Sequence, residues 1–123
     1  MKKRTIFFSL LVFSLFVCGC KYDFITPDYV PPVAPGVSFS IQVAPIFSTG
    51  DKCTQCHKSG GQNPDLTTSN AYSQIVPSLV DTANPAASLI LTVPGSSKHS
   101  WKGYTATESA TIRGWITEGA KNN

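Results

Sequence analysis

Hydrophobic and polar positions divide the chain into four stretches of different pattern. Residues 6–17 are an almost unbroken apolar run, interrupted only by Ser9 and Ser14. Residues 21–36 show neither helical nor strand periodicity and hold Pro27, Pro31, Pro32 and Pro35. From about Val37 to about Ala120 apolar residues recur at helical spacing in short segments separated by polar loops. Val43, Ile46 and Phe47 share one helical face, with Ser38 or Ser40 as N-cap, Pro45 confined to the first turn and Gly50 as the stop. Asn70–Val76 predicts one or two turns with Tyr72, Ile75 and Val76 inward. Asn84-Pro85 pairs a capping side chain with a proline at the first helical position, predicting a helix over Ala86–Val93 that ends before Pro94. The last helix has the fullest signals. Thr105 and Glu108 form a capping box, Ile112, Trp115, Ile116 and Ala120 line one face, and Gly119 lies near the C-terminal cap. Gly114 within it costs stability relative to alanine, and a close helix crossing would account for it. Strand alternation is absent, so the pattern predicts an all-α domain of about four short helices with long loops.

The first apolar run changes what the charge means. The chain carries ten basic and seven acidic residues, a formal charge of +3. Lys2, Lys3 and Arg4 immediately precede the run, as in a secretory signal, and without them the charges balance. No basic patch for nucleic acid remains. The run is too short for a membrane-spanning helix, which needs about 20 apolar residues. It ends Val17-Cys18-Gly19-Cys20, which resembles a bacterial lipobox with small Gly19 before the cysteine. The resemblance implies a signal peptide over 1–19, Cys20 as a lipid-bearing first mature residue, and a lipoprotein of the cell envelope, facing the periplasm or the surface. A retained signal-anchor helix or a Cys18–Cys20 disulfide are the alternatives. Residues 20–36 then read as lipid anchor and extended spacer, since proline fixes φ and removes a donor. Residues 37–123 are the folded domain. Packing of Tyr22, Phe24 or Tyr29 onto that domain stays open. Its helical part spans about 84 residues, a size at which a staple, metal or cofactor commonly supplements the core.

The pentapeptide Cys53-Thr54-Gln55-Cys56-His57 carries the chemistry. C-x-x-C-H is the attachment signal for c-type haem. Two cysteines at this spacing reach two vinyl groups on one porphyrin edge, and the adjoining histidine supplies the proximal iron ligand. A thioredoxin-type redox pair would need a βαβ context that the pattern lacks. A zinc site would need Cys53, Cys56, His57 and His99 together, yet adjacent Cys56 and His57 reach one tetrahedral ion with difficulty. A plain Cys53–Cys56 disulfide leaves His57 unexplained. The scattered acidic residues and the Ser96-Ser97-His99 stretch make no hydrolytic triad, so no enzyme is expected. Lys52, Lys58, Lys98 and Lys102 bracket the motif and the following loop; they read as solvated charge, or as a ring that steers an acidic redox partner.

At these residues the chain resembles small single-haem c-type cytochromes. Val43-Ala44-Pro45-Ile46-Phe47, Asn84-Pro85-Ala86-Ala87-Ser88-Leu89 and Ile112–Ala120 are similar to their N-terminal, middle and terminal helices. The resemblance implies a cytochrome c-like fold around one covalent haem c, with first and last helices crossing and Phe47 near Trp115. It also implies electron transfer with redox partner proteins at the cell envelope. The chain departs from the pattern in one respect. Such cytochromes commonly place a methionine on the far side of the iron, and the one methionine here is Met1. The mature chain has only His57 and His99, so His99, in a polar loop before the last helix, is the candidate distal ligand. An open sixth position would instead make the protein a haem-based ligand sensor or carrier, and absence of haem would leave an adaptor lipoprotein.

Overall fold

A computed structural model describes Tyr29 and residues 32–76, 78–97 and 99–123. The expected signal peptide over 1–19, Cys20, most of the 20–36 linker, Tyr22, Phe24 and Lys98 lie outside the described residues. Among the described residues there are helices and turns and no strand, which makes the domain all-α. No helix among them is long and apolar enough to cross a membrane.

The chain enters through a π turn, Phe39–Val43, that runs directly into helix α1, Ala44–Ser48. Ser38 is the N-cap: its hydroxyl accepts from Ile41 N, and the Gln42 side chain reaches back to Ser38 N. The wider turn has a local cause. Proline has no N–H to give to the carbonyl four residues back, and Pro45 therefore sits in the first turn of a new helix, where that donor is not required.

Helix α2, Ala71–Ile75, buries Ala71 and Ile75. The stretch after Asn84 differs from the expected single helix. Pro85–Ala87 forms one 3₁₀ turn, the chain turns extended at Ser88, and helix α3 covers only Leu89–Thr92. The break is tertiary. Ser88 is buried, and its hydroxyl accepts a hydrogen bond from Asp81 N at 2.9 Å. Asn84 makes no side-chain cap; Asp81 closes that loop instead, accepting from Ala83 N and Asn84 N.

Helix α4, Ala106–Thr117, follows its signals. Thr105 Oγ1 accepts from Glu108 N and Glu108 Oε2 accepts from Thr105 N, a complete capping box. At the other end Gly119 adopts φ 96°, Gly119 N donates to Ile116 O and Ala120 N to Trp115 O, the Schellman arrangement. Ile112, Trp115, Ile116 and Ala120 are all buried.

The core forms where the N-terminal turn and α2 meet this face. Phe39 packs on Trp115 with ring centres 5.1 Å apart, and Tyr72 meets Phe39 edge-on at 5.2 Å. Both polar tips are satisfied: Trp115 Nε1 donates to Lys121 O and Tyr72 Oη to Ala120 O. Phe47 is fully buried in the same core, but the aromatic stacked on Trp115 is Phe39. Gly114 faces the incoming arm rather than another helix: a Cβ there would be in ordinary van der Waals contact with Val33 and Val37. Glu118 fastens that arm, its two carboxylate oxygens accepting from Gly36 N and Val37 N, each at 2.9 Å.

Candidate functional site

The motif follows α1 through two residues in left-handed conformation, Gly50 with φ 63° and Asp51 with φ 52°. This reversal lets Cys53 N donate back to Phe47 O at 2.9 Å, which docks the motif on the end of α1. His57 N then donates to Cys53 O at 2.9 Å, so residues 53–57 make one helical turn. The turn puts Cys53 half-buried and Cys56 exposed, both as free thiols. Burial pushes the Cys53 thiol up, against the opposing pull of Lys52 and Lys102.

His57 is held on two sides. Its Nδ1 lies 3.0 Å from Pro64 O. A carbonyl only accepts, so Nδ1 carries the proton and Nε2 is left as the free donor atom for a metal. Its backbone carbonyl accepts from Leu66 N at 2.9 Å. Gly61 makes the reversal between these contacts possible, since a Cβ there would drive into the Cys56 carbonyl. Asp65 stands between Pro64 and Leu66, nearly buried. Its carboxyl is held well below the usual range by hydrogen bonds from the hydroxyls of Ser59 and Thr67, the Thr67 N–H and the Asn70 amide.

These residues form one wall of a cavity of about 510 Å³. Cys53, Cys56 and His57 line one part, His99 and Trp101 another, and Leu66, Leu79, Leu89, Ile90 and Val93 supply apolar surface. The structure brings His99 to His57 with ring centres 5.8 Å apart. Trp101, 70% exposed, lies beside His99 with the ring centres 5.5 Å apart and the planes tilted. Tyr104 closes another part of the wall. Burial pushes its hydroxyl above the ordinary tyrosine range, and Lys52 lies over its ring, 5.6 Å from the centre.

Of the lysines that bracket the motif, Lys52 and Lys102 line the cavity, whereas Lys58 is exposed and outside its lining. Lys52 pairs with Glu108, which thus serves both the capping box and the ion pair. Burial opposes the charged form of Glu108, but hydrogen bonds from Lys52 and Thr105 outweigh it and hold the carboxyl below its usual range.

The residues present fit a covalently attached haem. Two thiols stand beside a histidine whose ring nitrogen is free for iron. Two residues that line the cavity each carry a buried polar atom with no hydrogen-bond partner, His99 Nδ1 and Tyr104 Oη, although buried polar groups are ordinarily paired. By contrast, among the described residues no three of the His, Cys, Asp and Glu side chains are grouped to hold a bare metal ion.

Comparison of the chain with protein-family models, with curated proteins and with solved structures finds no match.

Pro64, Asp65, Gly61 and Tyr104 belong to the site and are not marked by the motif. Asp65 two residues before Thr67, followed by Asn70, is a turn-and-cap signal that could have been read as an anchored loop.

Proposed function

We propose that this chain is a membrane-tethered c-type cytochrome: a cytochrome c-like domain that binds one haem covalently through Cys53 and Cys56 and transfers single electrons at the cell envelope. The observation that carries the reading is the C-x-x-C-H turn itself. It presents two free thiols and a tautomer-fixed His57 to an apolar cavity whose other wall brings His99 within ligand reach. Attachment needs no oxidant or reductant. Cys53 and Cys56 would hold the haem as thioethers, each the net addition of one S–H across one vinyl group. When bound, the haem supplies a one-electron couple between ferric and ferrous iron.

The remaining work is done by this chain's side chains. His57, held by Pro64, would bind the iron through Nε2, and His99 would be the second ligand in place of the absent methionine. Imidazole ligation on both sides lowers the reduction potential relative to His/Met ligation. Leu66, Leu79, Leu89, Ile90 and Val93 would give the haem an apolar wall, which tunes the potential of a bound iron. Lipid on Cys20 would hold the domain at the membrane surface beside its redox partners.

The test is mass spectrometry of the full chain expressed with the haem-attachment machinery. A haem mass on the Cys53–His57 peptide is expected, and its absence would sink the reading. The absorption spectrum of the ferrous protein with and without CO decides between functions. A low-spin spectrum indifferent to CO supports electron transfer, and prompt CO binding makes the protein a ligand sensor or carrier.

A further inference from the structure

We propose that Asp65 is a positioning residue for His57, setting the orientation of the imidazole and the strength of its Nδ1–H···O bond. The inference rests on the haem reading above.

His57 is held by the two residues that flank Asp65 in sequence. Pro64 O accepts from Nδ1, and Leu66 N donates to the His57 carbonyl. What holds this short loop in place is the carboxylate between them. Oδ1 accepts from Thr67 N at 2.9 Å and Thr67 Oγ1 at 2.6 Å; Oδ2 accepts from Ser59 Oγ at 2.6 Å and Asn70 Nδ2 at 2.8 Å. Only an ionised carboxylate offers acceptors to all four donors at once. The short O–H···O distances are those of charge-assisted bonds, the strongest kind this loop makes.

The four donors come from three places. Ser59 lies on the turn just after His57, Thr67 on the loop itself, and Asn70 at the N-cap of α2, whose Ala71 and Ile75 are buried in the core. Asp65 thereby ties the motif turn to a helix that the core holds fixed. Loosening it frees Pro64 O to move relative to His57 Nδ1. Partners of this kind fix the tautomer and ring direction of a ligating histidine and raise its basicity. A firm Nδ1–H···O bond favours ferric iron, and so does the nearby negative charge. Losing Asp65 must therefore raise the reduction potential.

The experiment uses the haem-loaded full chain, with potentiometric titration and ¹⁵N-resolved exchange of the His57 Nδ1 proton in the ferrous state. Asp65→Asn turns an amide donor towards the Asn70 donor. It is expected to raise the potential and to speed exchange, by about tenfold if exchange follows the low end of the loss in metal affinity that removing such partners causes. The swap D65N/N70D returns an acceptor to that pair and should bring exchange back towards wild type. Ser59→Ala keeps the charge and removes one donor. It is the variant that decides if Asp65→Asn does not fold, and it should speed exchange by a smaller factor. Wild-type exchange and potential in both single variants would overturn the proposal. A wild-type chain that takes up no haem is seen in its own spectrum before any variant is compared, and that result removes the haem reading and this inference together.

Discussion

The cavity makes a quantitative demand on the apo-protein. Replacing both Cys53 and Cys56 with alanine removes covalent attachment while leaving every core residue in place. The space left behind is about 510 Å³, and much of its wall is aliphatic. Unfilled apolar volume costs on the order of 24 cal/mol per Å³, or about 12 kcal/mol here. Water entering beside exposed Cys56 and Trp101 relieves part of that cost, so the figure is an upper bound. A domain of about 90 residues has a net stability of roughly 5–13 kcal/mol. The two quantities are of the same size, so the folded apo-form keeps little or no net stability. Cys53→Ala/Cys56→Ala, compared with the loaded protein by far-UV circular dichroism and urea titration, is expected to lose most of its helix and its cooperative transition. A fully helical double variant that unfolds cooperatively at the wild-type urea midpoint would refute the reasoning, because it would show a core that does not need the cavity filled.

His99→Ala in the loaded protein should abolish the low-spin bis-imidazole signal in electron paramagnetic resonance and create CO binding; an unchanged spectrum would remove His99 from the ligand set. Trp115→Ala deletes the largest fully buried side chain of the core and should cost about 3–5 kcal/mol in urea unfolding of the loaded protein. Asp65 and Glu108 both have carboxyls held below their unfolded values, so their contribution is present above the unfolded carboxylate pKa of about 4 and is lost as pH falls through the folded values. The urea midpoint should accordingly be level near neutrality and drop below about pH 4, with a shallower drop in Glu108→Gln. Cys20→Ser should release the protein from membranes or block its processing, as read from fractionation and apparent size.

Features settled by neighbours in sequence were legible in the sequence. Helix α4 is the clearest case: cap, apolar face and C-terminal glycine all lie within one continuous segment and reinforce one another. The pentapeptide is local in the same sense, since its reactive groups share one turn. Features decided by distant contacts were not legible. Asn84-Pro85 carries a sound helix-start signal, yet the helix breaks at Ser88 because Asp81 N takes the buried Ser88 hydroxyl as its acceptor. Gly114 looks like a packing site for another helix and instead faces the arm at Val33 and Val37. Phe39 and Phe47 both suit a core position, and only the π turn, imposed by Pro45, selects Phe39 as the partner of Trp115. His99 stood out by elimination, as the other histidine of the mature chain; Pro64, Asp65 and Tyr104 had no such marker, because their roles arise only when loops close on the cavity.

The two halves of the domain solve different problems, and this shapes how the site works. One half is a complete protein core: Phe39, Tyr72 and Trp115 pack together, their polar tips are satisfied, and Glu118 clamps the entering arm. The other part lines the cavity with aliphatic side chains, two thiols and His57, and its Leu66 and Ile90 reach back into the same core. Asp65 is where the halves are joined, because Asn70 and α2 belong to the packed half and Ser59 to the motif turn. The rigid half therefore fixes His57 through that carboxylate. On the opposite side, His99 sits on a turn closed only by short-range bonds, Gly95 N to His99 O and His99 N to Ser96 O. A ligand anchored to a core and a ligand carried on a local turn differ in how easily each leaves the iron. With the proposed haem bound, the His99 side is expected to yield first to denaturant, acid or a competing ligand, while His57 and the two cysteines would keep the cofactor in place.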